Sequence, residues 1–131
     1  MTPSPVLDAS ALLAALNDEP GADTVVAAVE GEEPPLMSAV NLAEVVSRLA
    51  EHGLSEEEIL EVLAQVPVTV IPFDREWAMR VGLLRPRTKQ LGLSLGDRAC
   101  LALGASLERP VLTTDRAWAR ADIGVDIRLI R

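Results

Sequence analysis

The sequence predicts an α/β fold in which helices cover both faces of a central parallel sheet. Three observations point there. Brief apolar runs alternate with longer segments whose apolar residues recur at helical spacing. The brief runs lack the polar–apolar alternation of half-exposed strands, which is the pattern of strands buried on both faces. Proline and glycine punctuate the chain at short intervals, and no internal repeat or low-complexity run interrupts the order.

Pro5, Val6 and Leu7 form the first predicted strand, which ends at Asp8. Ser10 is read as the cap of a helix that starts at Ala11 and runs to Asn17, where Glu19-Pro20-Gly21 stops it. Ala22 to Val29 is a second helical run before Gly31. Pro35 to Ser38 is the second strand. Val40, Leu42, Ala43, Val45, Val46, Leu49 and Ala50 then trace a helix up to His52-Gly53. Ser55 and Glu58 have the spacing of a capping box, and their helix carries Ile59, Leu60, Val62 and Leu63. The β-branched stretch from Val68 to Ile71 is the third strand. Asp74 opens a helix with Trp77, Val81 and Leu84, which Pro86 ends or kinks. Leu91-Gly92-Leu93 is a turn. Ser94 caps a helix running through Ala105, Pro110 to Thr113 is a strand, Arg116 to Arg120 a short helix, and Val125 to Ile130 a last strand.

A chain of 131 residues, 49% of them hydrophobic, suits one domain spanning residues 1–131 with a real core. No stretch approaches 18 consecutive apolar residues, so no membrane span is expected. The N-terminus lacks a basic region and Asp8 breaks its apolar run, so no secretory leader is expected either. A lone cysteine, Cys100, cannot staple a small secreted fold, which makes a reducing, cytoplasmic compartment the default. Flanked by Ala99, Leu101 and Ala102, it reads as a small buried apolar residue and not as a nucleophile. One histidine (His52) and one cysteine exclude a zinc site of the usual Cys/His kind.

The net charge of −8 is uneven. Residues 1–66 carry 13 acids and one base, Arg48, whereas residues 67–131 carry 7 acids and 11 bases. An acidic chain is a poor generic nucleic-acid binder. A local basic stripe (Arg80, Arg85, Arg87, Lys89, Arg98) could hold a phosphate backbone beside a metal, although a solvated helix face is its more ordinary use.

In parallel sheets, ligands sit beyond the carboxyl ends of the strands, so the polar residues there carry the functional reading. Asp8 directly follows Val6-Leu7, and Asp115 follows Val111-Leu112 by two threonines. Glu44 lies in the first turns of the helix after the Leu36 strand, three residues beyond Asn41 and on its face. Asp97 lies in the first turn after Ser94. Each acid also has an ordinary structural use. Asp8 could be a turn residue, and Glu44 could pair with Arg48 at i+4. Asp97 could close a capping box with Ser94, and Asp115 could cap the Arg116 helix. Jointly, four unpaired carboxylates at one strand edge would repel one another. A hard divalent cation removes that cost. The all-oxygen donor set suits Mg²⁺ or Mn²⁺, and such an ion suits phosphoryl chemistry. Ser10, Asn41, Thr113 and Thr114 are short polar residues placed to orient the carboxylates.

These residues resemble a known family. Val6-Leu7-Asp8-Ala9-Ser10-Ala11-Leu12-Leu13 looks like the opening motif of PIN domains. Asn41-Leu42-Ala43-Glu44-Val45 resembles their glutamate motif. The stretches from Ser94 to Ala102 and from Val111 to Trp118 resemble the two later acidic motifs. Any one motif is weak, but the four in order over the whole chain are specific. The VapC toxin group of bacterial toxin–antitoxin systems is the most similar branch. The resemblance implies a PIN-like three-layer fold, with Asp8, Glu44, Asp97 and Asp115 as metal acids around Mg²⁺ or Mn²⁺. It implies Thr113 as the hydroxyl residue beside the last acid. Ser10 and Asn41 match neighbouring polar positions. It further implies endonucleolytic hydrolysis of RNA, a homodimer, and a VapB-type antitoxin whose C-terminal segment covers the site.

On this reading Asp8 and Asp97 hold the better-occupied metal, Glu44 and Asp115 complete its shell directly or through water, and Arg116 or Arg98 could neutralise the phosphate, a surface salt bridge being the more ordinary role for Arg98. The rival is a catalytically silent PIN-like interaction module, for which Trp77, Met79 and Trp118 could line a partner groove, although at these spacings core packing is their more ordinary use. Two other α/β metal enzymes fit poorly. A phospho-receiver domain needs an adjacent acidic pair after the first strand, and a haloacid-dehalogenase-like phosphatase needs a second Asp where Ser10 stands.

Overall fold

Val6 and Leu7 divide the molecule into layers, because successive strand residues face opposite sides of a sheet. A computed structural model describes residues 3–131. Five strands, β1 (Val6–Leu7), β2 (Leu36–Ser38), β3 (Thr69–Ile71), β4 (Val111–Thr113) and β5 (Ile127–Leu129), form one sheet in the order β3-β2-β1-β4-β5. Every pairing is parallel. Val6 and Leu7 register with Val111 and Leu112 on β4, and Val6 registers with Leu36 on β2.

The helices are α1 (Ala9–Leu16), α2 (Ala22–Val29), α3 (Ala39–Glu51), α4 (Glu56–Ala64), α5 (Arg75–Leu83), α6 (Arg85–Thr88) and α7 (Leu95–Leu107). Val6 and Val111 pack with Val81 of α5, with Ala99 to Leu103 of α7, and with Trp118. On the other face Leu7, Met37 and Leu112 pack with Leu12 of α1, Val25 of α2, Val45 and Leu49 of α3, and Ile59 of α4. The sheet is thus covered on both faces, as its apolar strands predict. Each fully buried Leu, Val or Met here contributes roughly 1.5–3 kcal/mol from burial alone.

Most predicted elements form near their predicted limits, with three differences. The first helix is capped by Asp8, two residues earlier than the predicted Ser10. Asp8 is extended (φ −86°, ψ 178°) and its Oδ1 accepts the Ala11 N–H at 2.8 Å. Ser10 points its hydroxyl back to Asp8 and does not cap. α5 does stop before Pro86, at Leu83, but the chain re-enters a helix at once: Pro86 sits in the first turn of the short helix α6, where a missing N–H costs nothing. The Arg116–Arg120 segment is a 3₁₀ turn and not an α-helix.

The chain runs outward from β1 through β2 to β3, then returns to lay β4 against the other side of β1. The crevice at the carboxyl ends of β1 and β4 is therefore the topological switch point, where this class of sheet binds ligands.

Candidate functional site at the strand switch point

Asp8 leaves β1 at that crevice and is almost fully buried. Three donors fix its carboxylate. Thr113 Oγ donates to Oδ2 at 2.6 Å, Ser10 Oγ donates to Oδ1 at 2.7 Å, and the Ala11 N–H donates to Oδ1. Bonds this short are typical of an ionised acceptor. Burial nevertheless pushes the Asp8 carboxyl above its ordinary value. The hydrogen bonds from Thr113, Ser10 and Ala11 pull it down, and the charge of Asp97 pushes it up further.

Thr113 is the last residue of β4 and completely buried. Besides donating to Asp8, its hydroxyl accepts the Asp115 N–H at 3.0 Å. Asp115 itself is exposed and caps the 3₁₀ turn through the Ala117 N–H. Asp97, at the third position of α7, forms a capping box with Ser94. Its cap role and its place at the crevice therefore coexist.

Glu44 comes from α3, one turn after the buried Asn41. Asn41 Nδ2 donates to Glu44 Oε1 and to the Gly96 carbonyl, both at 2.9 Å, and so pins α3 to the start of α7. Gly96 makes this contact possible, because a Cβ there would overlap the Glu44 carboxylate. Asn41 Oδ1 is buried and has no hydrogen-bond partner among the described residues.

Asp8, Glu44, Asp97 and Asp115, with Ser10, Asn41 and Arg48, line one pocket of about 200 Å³. The structure thus brings all four predicted acids to one place. They do not form a ready chelate: among the described residues no three His, Cys, Asp or Glu side chains are gathered tightly enough to hold one ion. Local bonds hold each acid apart from the others, as mutual repulsion favours. The donor set still fits a hard divalent cation. It is all oxygen and it carries excess negative charge.

Cys100 lies beneath the pocket. Burial pushes its thiol well above the usual range, and the charges of Asp8, Asp97 and Glu44 add to this, so it is an inert core residue. Asp74 caps α5 outside the pocket. Arg98 is also elsewhere: its guanidinium donates to the Val81 carbonyl near the end of α5. Arg116 does not line the pocket. Trp118 is fully buried in the core and cannot line a partner groove, while Trp77 is half-buried with the Arg80 guanidinium 5.0 Å from its ring centroid.

The cation that does line the pocket is Arg48, which sequence reasoning set aside as an i+4 partner of Glu44. That pair does not form. The available signal was its isolation, as the single base among the 13 acids of the first 66 residues.

Among the described residues, no helix is long and apolar enough to cross a membrane. The chain is 30% identical over 124 residues to a ribonuclease VapC of Mycolicibacterium smegmatis, covering 90% of this chain and 96% of that protein. Its fold is similar to DNA-bound VapBC from Salmonella typhimurium (TM-score 0.75, 17% identity, 100% of both chains). It is also similar to a toxin–antitoxin complex from Klebsiella pneumoniae (TM-score 0.73, 17% identity, 98% of both chains). The PIN domain family model matches residues 6–124, a span that starts at β1 and takes in all four acids and the five-residue turn after the last of them, so the chain belongs to the PIN domain family.

Proposed function

We propose that this chain is a metal-dependent endoribonuclease, the toxin of a VapBC-type toxin–antitoxin pair. The observation that carries the reading is the convergence of Asp8, Glu44, Asp97 and Asp115 on one pocket at the β1–β4 switch point. The ribonuclease named among its relatives supports it. Residues 1–131 act as one nuclease domain, working in the cytoplasm as a homodimer. The solved structures of similar fold, a toxin–antitoxin complex and a DNA-bound VapBC, support a VapB-type antitoxin as partner.

Asp8 and Asp97 would hold Mg²⁺ or Mn²⁺, with Glu44 and Asp115 completing the set. When bound, such an ion acidifies water and offsets charge developing on the phosphate. The chain's own residues do the arranging. Thr113 and Ser10 hold the Asp8 carboxylate in one orientation, and Asn41 does the same for Glu44. Thr113 is a positioning residue, since its buried hydroxyl is engaged by Asp8 and Asp115. In the reaction, water attacks phosphorus in line and the ribose oxygen leaves as a 3′-hydroxyl.

Cleavage of RNA by the purified chain with Mg²⁺ or Mn²⁺ tests this, against EDTA and against Asp97→Asn. Cleavage that needs both ion and Asp97 is the expected result. Cleavage that survives Asp97→Asn or EDTA would overturn the assignment. A folded, antitoxin-free chain that binds no Mn²⁺ would favour the catalytically silent module.

A further inference from the structure

Arg48 stands one helical turn beyond Glu44 on α3 and lines two hollows, which share Leu13 as well. One is the acid pocket; the other is a groove of about 240 Å³ walled by Leu13, Leu16, Leu49, Leu54 and Val62. Its side chain is exposed and makes no ion pair or hydrogen bond among the described residues. The helix around it is nonetheless well fixed, with His52 Nδ1 2.7 Å from the Arg48 carbonyl oxygen. The other arginines near the site are committed or absent from it. Arg98 is bonded to the Val81 carbonyl, and Arg116 is not among the residues that line the pocket.

Charge decides what this arrangement accepts. One divalent ion balances only two of the four carboxylate charges, so the loaded pocket still repels an anion. A guanidinium on the wall offsets part of that excess at the side where a ligand enters. A ligand that satisfies both the ion and Arg48 must present anionic oxygens to two cations at once. A phosphodiester does so with its two non-bridging oxygens, and guanidinium is the side chain best matched to them. A protein partner that silenced the acids would instead bring a cation to them, and would leave Arg48 without a role.

Resting on the nuclease reading above, we infer that Arg48 grips a non-bridging oxygen of the substrate phosphate and so positions the RNA backbone against the four acids. It is a substrate-binding residue on the groove side of the pocket, and it does not hold the metal.

The test uses the full chain and its Arg48→Ala and Arg48→Lys variants, with an RNA that the unaltered chain cleaves in Mn²⁺. Arg48 is exposed, so both variants fold, and melting curves check that they do. Arg48→Ala raises KM by about tenfold with a smaller effect on kcat. It also lowers the salt slope of kcat/KM by about one phosphate contact, and Arg48→Lys recovers part of the loss. The Mn²⁺-induced rise in Tm stays the same in all three proteins. An unchanged KM and salt slope would overturn the inference and leave the nuclease reading standing. Loss of the Mn²⁺ shift in Arg48→Ala would overturn it too, by making Arg48 a support of the acids. Weakened binding of an antitoxin protein with unaltered RNA cleavage would reassign Arg48 to the partner. An unaltered chain that cleaves no RNA with either ion would sink both readings together.

Discussion

Thr113 Oγ donates to Asp8 Oδ2 at 2.6 Å across the seam between β4 and β1, and accepts the Asp115 N–H at 3.0 Å. One buried hydroxyl therefore orients the acid after β1 and the backbone that delivers the acid after β4. Thr113→Val keeps the shape and removes both bonds. A lost bond to a buried charged group costs about 1–3 kcal/mol, so the variant should melt several degrees lower. The hydrogen bond from Thr113 also lowers the Asp8 pKa. Without it, the acid limb of the pH–activity profile moves to higher pH. An unaltered melting curve together with an unmoved acid limb would show that Thr113 does neither job.

Asp8 carries a stability signature of its own. Burial raises its folded pKa above the unfolded value. A raised acid contributes stability that is fully present below the unfolded pKa and is lost as pH rises through the folded pKa. Ionised Asp8 is thus a liability to the metal-free fold at neutral pH. In EDTA, Asp8→Asn removes that liability. The melting temperature of wild type relative to the variant should climb as pH falls from 7 toward about 4. A flat difference across that range would mean that Asp8 is ionised at no cost.

Glu58 supplies the opposite slope. It is the reciprocal member of the Ser55 capping box, and its bonds to the Ser55 backbone and hydroxyl lower its pKa. A lowered acid contributes stability that is present above the unfolded pKa and lost as pH falls through the folded one. Glu58→Ala should lower Tm at pH 7, with the difference from wild type shrinking below about pH 4. Because the group is fully exposed, added salt should shrink it as well. A difference that grew on acidification would contradict the capping role.

The parts of this fold that local chemistry dictates were legible in the sequence. Ser55 with Glu58 and Ser94 with Asp97 form the capping boxes that their spacing predicts. The brief apolar strands pair in parallel as their lack of alternation implies. The first cap was misplaced because Asp8 and Ser10 are both good caps two residues apart. What separates them is Thr113, 105 residues away, which needs Asp8 at the strand end. Arg48 was weighed only as a possible partner of Glu44, for a related reason. An i+4 spacing permits a pair with Glu44, but Asn41 and the bare backbone of Gly96 hold that carboxylate on the α7 side. Arg98 reads as part of a basic stripe on a solvated helix face, yet packing of α7 on α5 puts its guanidinium on the Val81 carbonyl. In each case a partner distant in sequence decided between two locally equal choices. The four acids share one pocket because Asp8 and Asp115 follow strands while Glu44 and Asp97 lie in the first turns of helices, positions that topology alone brings together.

Gly96 gives the sharpest separation of folding from function. It is buried in the first turn of α7, where its carbonyl accepts from Asn41. Alanine is the better helix former by about 1 kcal/mol. The atoms that a Cβ at this position would overlap belong to the Glu44 carboxylate, the far end of a flexible and exposed side chain. Glu44 can swing aside into solvent at little cost to the fold, but it then leaves Asn41 Nδ2 and the pocket. Gly96→Ala should therefore melt within about 1 kcal/mol of wild type, or above it. Its Mn²⁺-induced rise in Tm should shrink, and RNA cleavage should drop by about tenfold or more, as expected when a group supporting a metal site is displaced. Glu44→Ala sets the scale for the loss, and Gly96→Ala should approach it. Full activity in Gly96→Ala would mean that Glu44 is not among the acids that matter. A collapse of Tm instead would place the clash in the backbone and not in the carboxylate.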